Sequence, residues 1–251
     1  MLVLYHTMPF LNTILNSILN VIFPVNCISC GIGGTDLCVK CLSETPLAER
    51  ETAKWIFPLY DYRHPPIKKA LWLLKYSGKK RLARIFAENI HGKIIEELSE
   101  LSVMENFNDA ILIPIPLSPK RHRERGYNQA ELICKELIKI EKINHLSPPS
   151  APLSISKWRG VGGEVFTLRS NILIKPNETE HQARIKNRAE RLKNIVGSFS
   201  IKNYQQNEEM IKKRNIILID DITTTGATLS EAKKILKKSG ARKVIAFTVA
   251  H

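Results

Sequence analysis

Two apolar runs near the end of the chain are separated by an amphipathic stretch. The runs are "NIILID" (215–220) and "KVIAFTVA" (243–250), and each has the length of a buried strand. Between them, "TLSEAKKILKKSG" (228–240) has helical periodicity, and Gly240 suits the position that follows a helix. A strand, a helix and a strand in this order form a right-handed crossover between parallel strands. The sequence therefore predicts an α/β fold with a parallel sheet.

The upstream sequence supplies further elements of the same kind. Three segments have the spacing of helices: 65–76, 81–101 and 128–140. A short apolar run at 110–117 has β-type character and is closed by prolines. Residues 144–180 are rich in Pro, Ser, Gly and Asn, which predicts a loop excursion or a mobile flap with room for a hairpin. Residues 180–195 are predicted to form a very basic helix.

The 251 residues are enough for one substantial core and a small accessory module. We expect an amphipathic helix in 1–26, a Cys-rich module at 27–45 and a globular α/β domain over 55–251. The N-terminal segment lacks a basic start, and asparagines interrupt its apolar run, so neither a signal peptide nor a membrane span is predicted. Its polar face has no Lys or Arg, which favours packing on the protein itself over a membrane surface. A cytoplasmic location is expected.

The stretch "IDDITTTGAT" (219–228) follows the first predicted strand of this crossover. Ligands of parallel sheets bind at the carboxyl ends of strands, where helix N-termini present free N–H groups. Asp220 and Asp221 are suited to accept hydrogen bonds from vicinal hydroxyls or to hold Mg²⁺. The six residues that follow Ile222 can surround a phosphate with hydroxyl and N–H groups: Thr223, Thr224, Thr225, Gly226, Ala227 and Thr228.

A ribose 5-phosphate satisfies both halves of this stretch, because it has a phosphate at one end and a cis-diol nearby. The alternative is a strand end followed by a helix that Thr225 or Thr228 caps. A single cap needs one hydroxyl, whereas four threonines flank the glycine here. We therefore predict a phosphate-binding loop at 219–228.

A second stretch, "PKRHRERG" (119–126), is strongly basic and lies between a predicted strand and a predicted helix. Four cations are concentrated in this predicted loop: Lys120, Arg121, Arg123 and Arg125. A pyrophosphate leaving group needs such charges, and the planar arginine side chain suits phosphate oxygens. The whole chain has a net charge of +14, which also favours anionic partners. The alternative is a solvated basic loop.

Four of the five cysteines form two closely spaced pairs, Cys27-x-x-Cys30 and Cys38-x-x-Cys41. Four thiolates complete a tetrahedral Zn²⁺ site without an open position, so we predict a structural zinc ion. Two disulfides or a redox pair are the alternatives. The absence of a predicted signal peptide disfavours disulfides, and redox chemistry needs only one pair. Cys134 is expected to be a small buried residue of a helix.

Several of these motifs resemble, in order, elements of the ComF family of competence-associated proteins. "ILIDDITTTGAT" resembles the signature with which type I phosphoribosyltransferases bind 5-phosphoribosyl-1-pyrophosphate (PRPP). "PLSPKRHRERGYNQA", "HQARIKNRAERLKNIVGSF" and "CISCG…LCVKC" resemble the other ComF elements. The resemblance implies a type I phosphoribosyltransferase-like parallel sheet flanked by helices, preceded by a small zinc-ribbon-like module with four cysteines. Residues 144–180 exceed the connection usual in this family.

By position, the resemblance assigns the ribose hydroxyls to Asp220 and Asp221 and the 5′-phosphate to residues 223–228. One hypothesis is an enzyme that transfers phosphoribosyl from PRPP to an unknown acceptor, with Mg²⁺ and release of pyrophosphate. The sequence names no general acid or base. The second hypothesis is a non-catalytic PRPP sensor or single-stranded-DNA-binding adaptor of natural transformation.

Contacts with single-stranded DNA are expected from Arg121 and Arg123 and from three arginines of the predicted basic helix: Arg184, Arg188 and Arg191. Aromatic residues on which bases could stack are sparse near these basic runs. Competence helicases and recombination proteins are further candidate partners. Asn in place of Asp220 or Asp221 is expected to weaken PRPP binding. It should leave folding stability equal or slightly higher, because it removes like-charge repulsion.

Overall fold

The computed structural model describes residues 25–49, 53–105, 107, 109–146, 166–176 and 195–251. The chain divides into two compact units, Met1–Thr45 and Pro46–His251. The predicted helices at 1–26 and 180–195 lie outside the described residues, except at positions 25, 26 and 195.

The first unit contains one short helix in its described part, α1 (Val39–Ser43). The second unit begins with β1 (Ile56–Tyr60), α2 (Pro65–Tyr76), α3 (Leu82–Glu105), β2 (Ala110–Pro114), α4 (Pro119–Arg125), α5 (Gln129–Leu146), β3 (Phe166–Leu168) and β4 (Leu173–Ile174). It continues with β5 (Ser200–Ile201), α6 (Tyr204–Ile211), β6 (Asn215–Ile222), α7 (Ala227–Lys238) and β7 (Lys243–Ala250). No helix in the described parts of the chain is long and apolar enough to cross a membrane.

Five strands form one parallel sheet in the order β1-β7-β6-β2-β3. The long central strands β6 and β7 pair from Asn215 with Lys243 to Ile222 with Ala250. They are almost continuously buried, as expected for parallel strands with both faces covered. The predicted α/β class and the parallel sheet flanked by helices are confirmed.

Helix α7 connects the two central strands, as its amphipathic pattern predicts. Its apolar face buries Leu229, Ala232 and Leu236 in the core beneath the sheet. It ends at Lys238, and Gly240 then adopts a φ of 85°, which a glycine accepts without strain. The crossover therefore places the segment between β6 and α7 at the carboxyl edge of the sheet.

Strand β6 is longer than the sequence predicts. It continues to Ile222, so that Asp221 as well as Asp220 lies within the strand and not after it. The reason is its pairing with β7, which extends as far as the contact between Ile222 and Ala250.

The basic stretch also differs, because Pro119–Arg125 is a short helix where a loop was predicted. The Ser118 hydroxyl accepts a hydrogen bond from the Arg121 N–H group at 3.5 Å, and Pro119 occupies the first turn. Gly126 ends the helix with a φ of 73°. These are standard start and stop signals, and they decide the local structure here.

The predicted loop excursion at 144–180 contains an edge strand of the main sheet. In its described part, β3 pairs with β2 in parallel, with Phe166 beside Ala110. Strand β4 pairs instead with β5 in a separate antiparallel sheet, so β3 and β4 do not form a hairpin. A strand of three residues is too short to give a periodic signal in the sequence.

Candidate functional site

A cavity of about 570 Å³ lies at the carboxyl ends of β2 and β6. The residues that follow β2 form one part of its lining, and the end of β6 with the loop after it forms another. Helix α2 contributes a third part. Six residues that the sequence singled out line this cavity together: Asp220, Asp221, Thr224, Thr228, Arg121 and Arg125.

The two aspartates face the cavity in different electrostatic environments. The Asp221 carboxylate forms an ion pair with Lys75 of α2, with 3.0 Å between Oδ2 and Nζ, and only 12% and 15% of the two side chains are exposed. The Asp220 Oδ1 atom accepts a hydrogen bond from the Asp221 N–H group at 2.8 Å. The Lys75 ammonium thus neutralises the charge of Asp221. The hydrogen bond to Asp220, in contrast, comes from a neutral backbone group.

The pKa of Asp220 is raised well above its ordinary range. Burial is the main cause, and the neighbouring charge of Asp221 adds to it. The Asp221 N–H group and the positive charges of Lys75 and Lys175 lower the pKa, but by less. A ligand that donates hydrogen bonds to this carboxylate would offset the cost of keeping it ionised in its half-buried position at the cavity wall.

The segment between β6 and α7 divides into a buried part and a part that faces the cavity. Thr223 is buried, and its N–H group extends the sheet by donating to the Ala250 carbonyl at 2.9 Å. Thr224 and Thr228 line the cavity. Thr225 accepts a hydrogen bond from the Ala227 N–H group at 3.4 Å, so these two residues form the entry to α7 rather than part of the lining.

Gly226 immediately precedes α7 and has a φ of 72°. A β-carbon at this position would lie 3.0 Å from the Cδ1 atom of Ile56, which belongs to the core. The site therefore requires glycine for two reasons, the backbone conformation and the close approach of β1.

We predict that Gly226→Ala lowers stability by more than the roughly 1–2 kcal/mol of a positive φ alone, because Ile56 must also move. Gly78→Ala is the matched control, since Gly78 has a φ of 67° and a β-carbon added there would meet no atom within 4 Å. Thermal unfolding of both variants measures the difference. Equal losses of stability would show that the contact with Ile56 has no energetic role.

Only half of the predicted basic cluster faces the cavity. Because α4 is helical, Arg121 and Arg125 share one face at a spacing of four residues and both line the cavity. Lys120 and Arg123 lie on exposed parts of the helix and are absent from the lining. Arg184, Arg188 and Arg191 lie outside the described residues.

Two lysines of the cavity were missed in the sequence. Lys75 lies on α2, far in the chain from its partner Asp221, and nothing in its local sequence marks it. Lys175 follows β4, within the stretch that was interpreted as a loop excursion. Burial, together with the positive charge of Arg121, lowers the pKa of Lys175 to about 8, although Asp220 opposes this. Lys175 thus adds a cation that an anionic ligand would stabilise.

The four paired cysteines form a compact cluster in the first unit. Their Sγ atoms lie within 4.8 Å of one another, and those of Cys30 and Cys38 are 3.6 Å apart. Zinc–sulfur bonds of about 2.3 Å in a tetrahedron place the sulfurs roughly 3.8 Å apart. The cluster therefore has the donor atoms and the dimensions to hold a metal ion such as zinc.

The surroundings favour a thiolate at Cys27 but not at Cys41, whose pKa is lowered by Ser29 but raised by more, to about 12, by Cys38, burial and the other two thiols. Burial raises the pKa of Cys27, but backbone N–H groups of Cys30, Cys38 and Ser29 together lower it by more, so that the net shift is downward. The Cys38 N–H group, for example, lies 3.4 Å from the Cys27 sulfur. All five cysteines are free, and the fifth, Cys134, is fully buried in α5. Its pKa is raised by burial, as expected for an apolar role.

The parallel sheet and the matched sequence of its C-terminal part define a phosphoribosyltransferase-like protein, since residues 167–251 match the phosphoribosyl transferase domain family. Competence protein F of Haemophilus influenzae is 31% identical over 135 residues, 53% of this chain and 46% of that protein. Competence protein ComFC of Streptococcus pneumoniae is 29% identical over 175 residues, 70% and 59% of the two chains. Together these similarities support a relationship to the ComF family of phosphoribosyltransferase-like proteins.

A third relative extends the similarity over most of the sequence. The DNA utilization protein YhgH of Salmonella typhi is 24% identical over 221 residues, which cover 87% of this chain and 80% of that protein. The predicted resemblance to the ComF family is thereby confirmed.

Proposed function

We propose that the chain binds PRPP in the cavity at the carboxyl ends of β2 and β6 and acts in DNA uptake during natural transformation. The observation that carries this proposal is the presence of an acidic pair, two threonines and four cations in the lining of one cavity. Its volume of about 570 Å³ falls within the range of small-ligand sites. The names of the relatives, which refer to competence and DNA utilization, support the biological part of the proposal.

In this proposal each part of PRPP has its own contacts. Asp220 and Asp221 accept hydrogen bonds from the ribose hydroxyls. Within the predicted loop from Thr223 to Thr228, Thr224 and Thr228 line the cavity and hold the 5′-phosphate next to the start of α7. Arg121, Arg125 and Lys175 face the pyrophosphate.

Mg²⁺ bound with PRPP would neutralise charge on the pyrophosphate as it leaves. The protein's own cations in the cavity lining would serve the same purpose. Because Lys175 is partly deprotonated near its pKa of about 8, the arrival of an anion would favour its charged form. The cysteine cluster holds a structural Zn²⁺ ion in the first unit.

Transfer of phosphoribosyl to an acceptor is the catalytic form of this proposal. Its test is release of pyrophosphate from PRPP and Mg²⁺ in the presence of a fractionated cell extract. An enzyme releases pyrophosphate only when a fraction that contains the acceptor is added. If no fraction increases the release of pyrophosphate, the non-catalytic form of the proposal remains. In that form the protein is a PRPP sensor in the transformation machinery of the cytoplasm.

A second candidate function is binding of single-stranded DNA as an adaptor, with competence helicases or recombination proteins as partners. The exposed Lys120 and Arg123 beside the cavity favour it, as does the net charge of +14. Affinity for DNA should fall steeply with salt, because phosphate contacts release counterions. Salt-independent binding would contradict this electrostatic account.

A further inference from the structure

Two large aromatic side chains of α2, Trp72 and Tyr76, line the cavity and yet remain 55% and 54% exposed. They are four residues apart and therefore lie on one face of the helix. Their ring centroids are 5.8 Å apart, with 47° between the ring planes. Large aromatic groups are usually buried in the core, so two adjacent exposed rings at a polar cavity indicate a binding surface.

Cations accompany these rings. The Arg125 guanidinium lies over the Tyr76 ring, 5.1 Å from its centroid. It also donates hydrogen bonds to the Tyr76 hydroxyl at 3.3 Å and to Gln129 Oε1 at 3.0 Å, which hold it in place. A second such pair involves Lys80, four residues after Tyr76, whose ammonium lies 4.8 Å from the centroid of the Tyr127 ring. The Tyr127 hydroxyl donates a hydrogen bond to the Leu74 carbonyl of α2. The rings lie beside the basic stretch in the fold but far from it in the sequence, because α2 and α4 are distant in the chain.

We propose that Trp72 and Tyr76 form a stacking platform for an unpaired base of single-stranded nucleic acid, at the open side of the cavity where PRPP is proposed to bind. This inference rests on the proposed function, because it takes PRPP as the ligand that lies beside the base. Aromatic faces combined with a basic surface are the features with which proteins bind single strands. Trp72 and Tyr76 supply the faces, and α4 supplies the cations for phosphates.

Other ligands fit these observations less well. A duplex keeps its bases stacked inside, so it cannot present one to the rings. A free base lacks the phosphates that Lys120 and Arg123 would contact from the exposed side of α4. An apolar peptide has no use for Arg125, which is fixed over Tyr76. A single strand uses the rings and the cations together.

The experiment measures binding of a short oligothymidylate and of an abasic strand of equal length to the whole protein at low salt. We expect the wild-type protein to bind the oligothymidylate about tenfold more tightly, the effect of one stacked base. Trp72→Ala and Tyr76→Ala should each remove most of this preference, and Trp72→Phe should retain it. Tyr204→Ala is the matched control, because Tyr204 is an exposed aromatic of α6 that does not line the cavity.

Two results would overturn the proposal. One is equal affinity of the wild-type protein for the two strands, or an undiminished preference in both Trp72→Ala and Tyr76→Ala. The other is competition by free thymidine at the same concentration as the oligonucleotide, which would indicate a site for a free base. An oligouridylate of equal length distinguishes RNA from DNA, and a base-dependent preference for either supports the platform. Titration of PRPP without any strand tests the proposed function separately, because neither result above bears on it.

Discussion

Removal of the metal from the cysteine cluster is expected to unfold the described part of the first unit, residues 25–45. Few apolar side chains are buried there: Leu37 and Leu42 accompany Cys27 and Cys41. A core of this size cannot offset the conformational entropy of the segment. Metal binding, about 10–16 kcal/mol in zinc modules of this kind, would then supply the folding free energy. This is the largest effect that we predict.

The variant Cys38→Ser tests this expectation without a chelator. Cys38 contributes one of the four sulfurs, and its own N–H group contacts the Cys27 sulfur. We expect loss of bound zinc by metal analysis and rapid proteolysis within residues 25–45. Residues 46–251 should keep a cooperative thermal transition, because they have a core of their own in which Phe57 stacks on Phe247. Ser43→Ala is the control, since Ser43 is exposed on α1 and is not a ligand. A Cys38→Ser protein with full zinc content and protease resistance would contradict the prediction.

Asp220→Asn and Asp221→Asn are expected to differ in their effects on stability. The sequence alone suggested that either change would relieve like-charge repulsion. The ion pair with Lys75 alters this expectation for Asp221. Loss of the Asp221 carboxylate leaves the largely buried Lys75 ammonium without its partner. Lys75 also interacts with Asp220, which limits the loss. We expect Asp221→Asn to lower the free energy of unfolding by about 1–2 kcal/mol, below the usual cost of breaking a buried pair.

Asp220→Asn should leave stability unchanged or higher. Its pKa is raised by burial and by Asp221, so that ionisation of Asp220 costs free energy in the empty cavity. Asparagine also keeps the oxygen that accepts from the Asp221 N–H group. Thermal unfolding without ligand measures both variants. The double variant Lys75→Met/Asp221→Asn is the control, and it should be more stable than the sum of the two single losses implies. Equal destabilisation by both asparagine variants would contradict the difference that we describe.

Much of the fold follows from local patterns in the sequence. The crossover from β6 through α7 to β7 was predictable because strand length, helical period and Gly240 all agree. The short helix α4 could also have been found, since Ser118, Pro119 and Gly126 are ordinary helix start and stop residues. Strand β3 could not, because its three residues are defined only by pairing with β2.

The candidate site was predictable only where its residues are adjacent in the chain. The acidic pair and the threonine loop form one continuous stretch, so their common position at a strand end could be inferred. Lys75, Trp72 and Lys175 come from other segments, and tertiary packing alone brings them to the cavity. The sequence also did not reveal how many cations of the basic stretch face the cavity. Because α4 is helical, Lys120 and Arg123 lie on its exposed side and do not line the cavity.

Calorimetric titration with PRPP and Mg²⁺ tests the central claim most directly. We predict saturable binding by the wild-type protein and an affinity at least about tenfold weaker in Asp220→Asn, equivalent to a loss of ~1.4 kcal/mol or more. The loss should occur without any decrease in the unfolding temperature of the variant. No heat of binding in the wild-type protein, or an Asp220→Asn variant that binds PRPP as tightly, would contradict the assignment of this cavity.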